Sequence, residues 1–115
     1  MEARAYQSNI GVPATKVRQV IDLIRNKPVE EALNILRFST KPISRVVEKV
    51  LRSAIANALS KDEENPVDAD ELFVVKVYAD QARSLKRLRP RARGSADRIV
   101  KGHTHLTMIV GNQLG

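Results

Sequence analysis

Residues 43–59 read "ISRVVEKVLRSAIANAL", and this stretch carries the clearest hydrophobic pattern in the chain. The spacing i, i+3, i+4, i+7 predicts a long amphipathic helix. Its apolar positions are Ile43, Val46, Val47, Val50, Leu51, Ala54, Ile55, Ala58 and Leu59. Pro42 in the first turn marks the start, and the polar run "SKDEEN" marks the end. Arg45, Lys49 and Arg52 follow the same period on the outer side, where they form a basic stripe.

Two shorter helices are predicted upstream. The first is entered through Pro13 and the second through Pro28, and proline suits the first turn of a helix. Their apolar positions are Val17, Val20, Ile21 and Ile24, then Val29, Ala32, Leu33 and Leu36. Because the linker "RNK" is short, the two helices should be neighbours.

Elsewhere the period changes from that of a helix to that of a strand. "LFVVKVYA", residues 72–79, is rich in β-branched and aromatic residues, and its alternation places Phe73, Val75, Val77 and Ala79 on one face. "HLTMIV", residues 105–110, alternates Leu106, Met108 and Val110 with His105, Thr107 and Ile109. "EARAYQS", residues 2–8, predicts a third strand. The fold class is therefore α+β.

The composition limits both the size of the protein and its class. A chain of 115 residues suits one domain, residues 1–115, and with two Phe and two Tyr its core must be mainly aliphatic. It contains no cysteine, which excludes disulfides and thiolate metal sites and favours a reducing compartment. The sequence lacks an apolar run of membrane-spanning length, so we expect a cytoplasmic protein with no membrane partner.

The net charge of +7 is concentrated in one segment. Residues 83–101 contain eight basic residues and one acid, Asp97, whereas the remainder of the chain contains twelve of each sign. The basic residues of the segment are Arg83, Lys86, Arg87, Arg89, Arg91, Arg93, Arg98 and Lys101. A neutral body with all the excess charge in one segment indicates a dedicated contact with a polyanion.

This basic segment separates the two clearest predicted strands and is far longer than a hairpin loop requires. It is predicted to be a projecting β-hairpin over residues 83–101, in which both strands continue outward. In "LKRLRPRARG", residues 85–94, arginine occupies every second position from Arg87 to Arg93, which matches an extended strand and not a helix. Pro90 and Gly94 are expected to shape the tip.

The chemistry of the hairpin favours RNA. It contains no aromatic residue on which bases could stack, whereas arginine suits phosphate oxygens, so folded RNA recognised by its backbone is the expected ligand. A merely solvated charged surface and a membrane-surface segment are the less favoured alternatives. His103 and His105 could share a metal, but no third ligand is evident, so we predict no metal and no cofactor. No catalytic motif occurs, and none of the residues is predicted to be catalytic.

The segment "LKRLRPRARGSADRIVKGHTHLTMIV", residues 85–110, resembles the C-terminal motif of the large-subunit ribosomal protein family numbered twenty-two. The upstream pieces "KVRQVIDLIRNK", "EEALNIL" and "SAIANAL" are similar to the three helices of that family. The resemblance therefore covers nearly the whole chain. Ser95 and Gly102 stand where the family usually has basic residues.

The resemblance implies three helices packed on a three-stranded antiparallel sheet with a long projecting β-hairpin. It implies a structural protein that binds large-subunit ribosomal RNA, acts in subunit assembly and lines the peptide exit tunnel. Neighbouring ribosomal proteins and the nascent peptide would be its other partners, and an obligate homo-oligomer is not expected. By position, Lys86, Arg87, Arg91 and Arg93 would contact RNA at the tip, with Arg89 beside them; Arg98 and Lys101 would do so in the arm, and Lys16 and Arg18 in the body. The alternative function is a free-standing basic RNA- or DNA-binding module outside the ribosome.

Overall fold

The computed structural model describes residues 1–61, 68–81, 85–90, 96–101 and 103–112. Strand β1 covers Glu2–Ile10, and three helices follow it: α1 (Ala14–Ile21), α2 (Val29–Arg37) and α3 (Ile43–Ser60). After a single 3₁₀ turn, Ala69–Glu71, come four strands. They are β2 (Phe73–Gln81), β3 (Leu85–Pro90), β4 (Ala96–Lys101) and β5 (Thr104–Gly111). All three predicted helices and the three predicted strands of the body are confirmed.

The body is built on an antiparallel sheet in the order β1, β5, β2, so the last strand lies in the centre. β5 pairs with β1 through contacts such as Ala5 opposite Met108, and with β2 through pairs such as Val77 opposite Met108. The helices cover one face of this sheet, with α3 on β1 and β5, α1 on β2, and α2 against α3. This is the α+β arrangement that the sequence predicts.

The core lies between the helices and the sheet, and it is aliphatic, as the composition requires. The apolar stripe of α3 packs into it, and Leu51 and Ala54 are completely buried. The central strand contributes Leu106, Met108 and Val110, which are also completely buried. Burial of such side chains stabilises the fold by about 1.5 to 3 kcal/mol each. The apolar periodicity therefore identified the core-facing residues of β5 and most of those of α3, but Leu59, near the end of α3, is 43% exposed.

The prediction of which β2 side chains face the core is only half right. Between Val74 and Lys76 the pairing with β5 shifts by one residue, which is a β-bulge at Val75. The bulge reverses the alternation, because a single extra residue moves every side chain before it to the other face. Val77 and Ala79 join the core as expected, but before the bulge it is Val74 that does so, and not Phe73 or Val75.

The two outer strands of the sheet have main-chain oxygens that accept hydrogen bonds from side chains of the helices and of the linker after α1. On β2, Arg18 donates to the Ala79 oxygen at 2.9 Å, and Arg25 donates to the Val77 oxygen at 2.7 Å. The linker after α1 adds a main-chain bond from Asn26 to the Val74 oxygen at 3.0 Å.

Main-chain oxygens of the other outer strand, β1, also accept hydrogen bonds from side chains. Asn57 in α3 donates its side-chain amide to the Arg4 oxygen at 2.9 Å, and the Lys61 ammonium donates to the Glu2 oxygen. Polar main-chain groups near a core need partners, and α3 supplies them here without a fourth strand. Each outer strand is therefore joined to a helix by polar bonds as well as by packing.

Candidate nucleic-acid interface

The basic segment forms a second, two-stranded antiparallel ladder between β3 and β4. It begins with Leu85 opposite Lys101 and ends with Pro90 opposite Ala96. β3 follows β2, and β5 follows β4, so the hairpin grows out of the central and outer strands of the sheet. The expected β-hairpin is thus present in the described part of residues 83–101.

The hairpin gives the protein an elongated form. The molecule measures 67 by 26 by 20 Å, and its radius of gyration is 17.5 Å. A compact chain of this length would have a radius of gyration of about 13 Å. The difference agrees with a hairpin that projects from the body.

The register of the hairpin separates its basic residues across the ladder. In the six described pairs, every basic residue lies opposite an apolar residue or an acid. Lys86 pairs with Val100, Arg87 with Ile99, Leu88 with Arg98, and Arg89 with Asp97. Like charges directly opposite each other destabilise a sheet, so this register allows a dense positive charge without that penalty.

Lys86 and Arg87, which the resemblance implies as tip contacts, lie within β3. Three further described pairs, those of Leu88, Arg89 and Pro90, follow Arg87. Pro90 is the last described residue of this strand, a position at which a missing N–H is tolerated. Arg91, Arg93 and Gly94 lie outside the described residues.

The remaining hairpin residues lie as expected. Arg89 is in β3, and Arg98 and Lys101 are in β4. The pairing of Arg89 with Asp97 places the one acid of the segment beside a base. One ladder of six described pairs therefore holds five basic positions, Lys86, Arg87, Arg89, Arg98 and Lys101.

The two expected body contacts lie on α1, but they differ in what they do. Arg18 bonds to the Ala79 oxygen of β2, so it has a structural role in addition to any contact with RNA. Lys16 is exposed and lines a surface groove of about 430 Å³ between α1 and the start of α3. Both residues share the helix that packs on β2, the strand from which the hairpin extends.

The basic stripe of α3 is largely occupied by contacts within the protein. Arg45 donates to the main-chain oxygens of Leu36, Arg37 and Ser39 at 2.9 to 3.0 Å, which satisfies the carboxyl end of α2. Arg52 bonds to Glu48 at 3.0 Å, and Arg45 also reaches Glu48 at 3.2 Å. The hydrogen bond from Arg52, with that from Arg45, holds the pKa of Glu48 below its ordinary value. Of this stripe, Arg45 therefore supports the end of α2, and Arg52 pairs with Glu48 on its own helix.

The two histidines do not form a metal site with other described residues. His105 accepts a bond from the Asn9 main-chain N–H on Nδ1 at 3.2 Å, and its ring lies 5.8 Å from that of Tyr6. The imidazole nitrogens of His103 are buried in the small cavity that it lines with Thr15 and Arg18, without a partner among the described residues. No cluster of three metal-ligating side chains occurs in the part of the chain that the structure describes.

One feature was missed by the sequence reasoning. Tyr6 and Tyr78 are 57% and 41% exposed, on the sheet face that the helices leave open. Both lie opposite Thr107, so they occupy one row across the three strands. The alternation of "LFVVKVYA" was a signal for this position, because it placed Tyr78 on the face opposite to Val77.

Comparison with known proteins identifies the family. The family model for ribosomal protein L22p/L17e matches residues 5–111, which include every helix and the whole hairpin. The chain belongs to the ribosomal protein L22p/L17e family. Members of the L22p/L17e family are structural proteins, so this protein is not an enzyme.

Individual relatives agree along almost their full length. The large ribosomal subunit protein uL22 of Dehalococcoides mccartyi strain BAV1 is 46% identical over 112 residues, which is 97% of this chain and all of the relative. The protein of the same name from Carboxydothermus hydrogenoformans is 48% identical over 98% of this chain and 97% of its own. That from Latilactobacillus sakei is 49% identical over 96% and 92%. The resemblance in the C-terminal motif thus extends to the whole L22p/L17e domain.

Among the described residues, no helix has the length and apolar character needed to cross a membrane.

Proposed function

We propose that this protein is a structural constituent of the large ribosomal subunit and binds large-subunit ribosomal RNA through its basic hairpin and body surface. The observation that carries the proposal is the position of the charge: the whole net charge of +7 lies in residues 83–101, and the described part of that segment forms a β-ladder distinct from the sheet of a neutral body. RNA helices supply the phosphate density that such a projection requires. The relatives are named large ribosomal subunit protein uL22, which supports the large ribosomal subunit as the particle that this protein joins.

The hairpin register supports recognition of the RNA backbone. Both β3 and β4 carry basic residues, and each of these lies opposite an apolar or acidic residue of the other strand. They can therefore meet phosphates on more than one side of the hairpin. Arg87, Arg89, Arg98 and Lys101 are the proposed arm contacts, with Lys86 beside them and Arg91 and Arg93 beyond.

The body contributes a second, smaller contact. Lys16 is exposed beside the groove on α1, and Arg18 uses one bond on Ala79 while an arginine side chain has five N–H donors. Donors of Arg18 remain for a phosphate. Both residues then anchor RNA near the base of the hairpin.

The family resemblance supports the finer features of the proposal. The protein supports early assembly of the subunit in the cytoplasm, lines the peptide exit tunnel with the hairpin tip, and contacts neighbouring ribosomal proteins and the nascent peptide. Pro90 and Gly94 shape that tip. It acts as one copy per particle, without a membrane or a cofactor.

RNA binding is tested by affinity as a function of salt concentration. Transcribed large-subunit RNA is titrated with the protein between 50 and 300 mM KCl. About five to eight phosphate contacts predict a slope of the log–log plot near −4 to −7. A slope near zero would reject the proposal in favour of a merely solvated charged surface.

Assembly is tested by co-sedimentation with large subunits washed in high salt. A ribosomal constituent remains with the particle at about one copy per subunit. Recovery only in the free fraction, together with salt-dependent RNA binding, would instead support the free-standing nucleic-acid-binding module.

A further inference from the structure

The open face of the sheet carries both tyrosines of a chain that has only four aromatic residues of the Phe, Tyr and Trp types. Tyr6 projects from β1 and Tyr78 from β2, and Thr107 of the central strand lies between them. Aromatic rings are usually largely buried, yet these two are 57% and 41% exposed. Their joint exposure in one row is the observation that needs an explanation.

The spacing of this row suits bases that are not stacked on each other. Neighbouring strands are about 4.8 Å apart, so the two tyrosines stand roughly 10 Å apart with a small threonine between them. His105 extends the surface towards the hairpin, because its ring is 5.8 Å from Tyr6 and inclined by 36°. The bond from the Asn9 main-chain N–H to its Nδ1 fixes the orientation of that ring.

Of the two rows beside the tyrosines, the one that holds Arg4 and Lys76 carries positive charge, and the other holds Asp80 and His105. Arg4 and Lys76 are both exposed, and both lie opposite Ile109. Two residues along a strand cover about 6.8 Å, which is close to the distance between a base and a phosphate of its own chain. A strand of RNA with bases over Tyr6 and Tyr78 can therefore place phosphates over Arg4 and Lys76.

We infer that the open face of the sheet is a stacking platform for unpaired RNA bases, formed by Tyr6, Tyr78 and His105, with Arg4 and Lys76 as its phosphate contacts. The inference deepens the proposed function and rests on it, since β2 and β5, which carry Tyr78 and His105, adjoin the basic hairpin along the chain. The hairpin has no aromatic residue, so the body supplies the base contacts that the hairpin lacks.

Other occupants fit this face less well. The tyrosine row is only three strands wide, and Arg4, Lys76, Glu2 and Asp80 are exposed on the same face, so it lacks the continuous apolar core of a protein interface. A base needs only the ring face of an aromatic side chain, and polar groups around it suit the ribose and phosphate.

The chain provides a direct readout, because it has two tyrosines and no tryptophan. Tyrosine fluorescence of the full-length protein therefore reports on this face alone. Single-stranded oligo(A) of twelve nucleotides, near 100 mM KCl, should quench this fluorescence on binding. A duplex RNA of equal length and matched absorbance should bind through the hairpin and leave most of the fluorescence unchanged.

Variants then separate stacking from charge. Y6L and Y78L should each weaken oligo(A) binding, by about fivefold to a hundredfold, with the salt slope unchanged. Y6F and Y78F retain a ring and should keep most of the affinity, and each leaves one tyrosine to report. F38L is the matched control, since Phe38 is 81% exposed at the end of α2, away from the sheet, and its loss should have no effect.

The outcomes distinguish the two proposals. Salt-dependent binding of oligo(A) with unchanged fluorescence and unchanged affinity of Y6L and Y78L would overturn the stacking platform and leave the proposed function standing. It is also the result expected if the face docks another protein. Absence of binding to oligo(A), to the duplex and to large-subunit RNA would overturn both.

Discussion

Arginines of the body and arginines of the hairpin have the same chemistry and different surroundings. In the body, Arg18, Arg25 and Arg45 donate to main-chain oxygens and so join one element to another. In the hairpin, the basic residues sit on a narrow ladder, opposite apolar residues or Asp97. The difference shows that a count of positive charges does not identify an RNA surface. In the body, the fold already supplies main-chain acceptors for Arg18, Arg25 and Arg45.

The largest expected effect comes from removing the hairpin. Replacing residues 85–101 with a short Gly-Asn-Gly turn removes seven basic residues and one acid. Affinity for large-subunit RNA at 100 mM KCl should fall by about a thousandfold or more, and the salt slope should fall by about four to six. Filter binding across a salt series measures both.

The same variant also tests whether the body is independent. The buried core lies in the three helices and the three-stranded sheet, so cooperative thermal unfolding should persist. Loss of that transition would mean that the hairpin belongs to the folding unit, and the contrast between the two regions would fail.

A core substitution should give the opposite result. Leu51 is completely buried on the sheet side of α3, so L51A should lower the free energy of unfolding by about 2 to 5 kcal/mol. Urea denaturation measures the change. Below the unfolding temperature of the variant, its salt slope for RNA should equal that of the unaltered protein. A changed slope would show that the hairpin depends on the packing of the body.

A smaller effect separates the structural arginine of α3 from its neighbour. R45Q removes bonds to the Leu36, Arg37 and Ser39 oxygens and should cost about 1 kcal/mol of stability. R52Q is the matched control, because it removes only a surface pair with Glu48 and should cost less than about 0.5 kcal/mol. Urea denaturation again gives the values. Equal costs for the two variants would contradict the assignment of Arg45 to the end of α2.

The smallest effect is a dependence on pH. Because the pKa of Glu48 is lowered in the folded protein, its charged form stabilises the fold above its ordinary pKa of 4.5. This contribution is lost as the pH falls through the lowered folded value. The difference in stability between the unaltered protein and E48Q should therefore be small and positive at pH 7 and should decline as the pH falls below 4.5. Thermal unfolding across that range measures it, and a difference that grows on acidification would show the opposite shift.

Sequence periodicity was sufficient for the helices and for the order of elements, because Leu51 and its neighbours repeat as a helix face must. It was insufficient for the first half of β2, since the bulge at Val75 depends on how that strand pairs with β5. Periodicity also could not show that Arg45, and not Lys49, bonds to the end of α2. The acceptors of Arg45 are main-chain oxygens, and their positions follow from the packing of α2 against α3.

At the candidate site, the features that the sequence did not predict also depend on pairing between strands. The concentration of charge and the alternation of arginines predicted the hairpin, whereas the partner of each residue on the opposite strand follows only from the pairing of β3 with β4. The sequence therefore did not show that Arg87 lies opposite Ile99 or that Arg89 lies opposite Asp97. The platform of Tyr6 and Tyr78 was missed because its two rings come from strands that are far apart in the sequence and meet only across Thr107.

The hydrogen bonds at the outer strands should also limit self-association of the free protein. An exposed strand edge is a template on which a second copy can add its own strand, and chains can then polymerise edge to edge. Arg18 and Arg25 close one edge, and Asn57 and Lys61 close the other. Substituting these four side chains would remove a barrier to self-association and leave the core untouched. These four side chains therefore protect the outer strands of the sheet against edge-to-edge pairing with another copy of the protein.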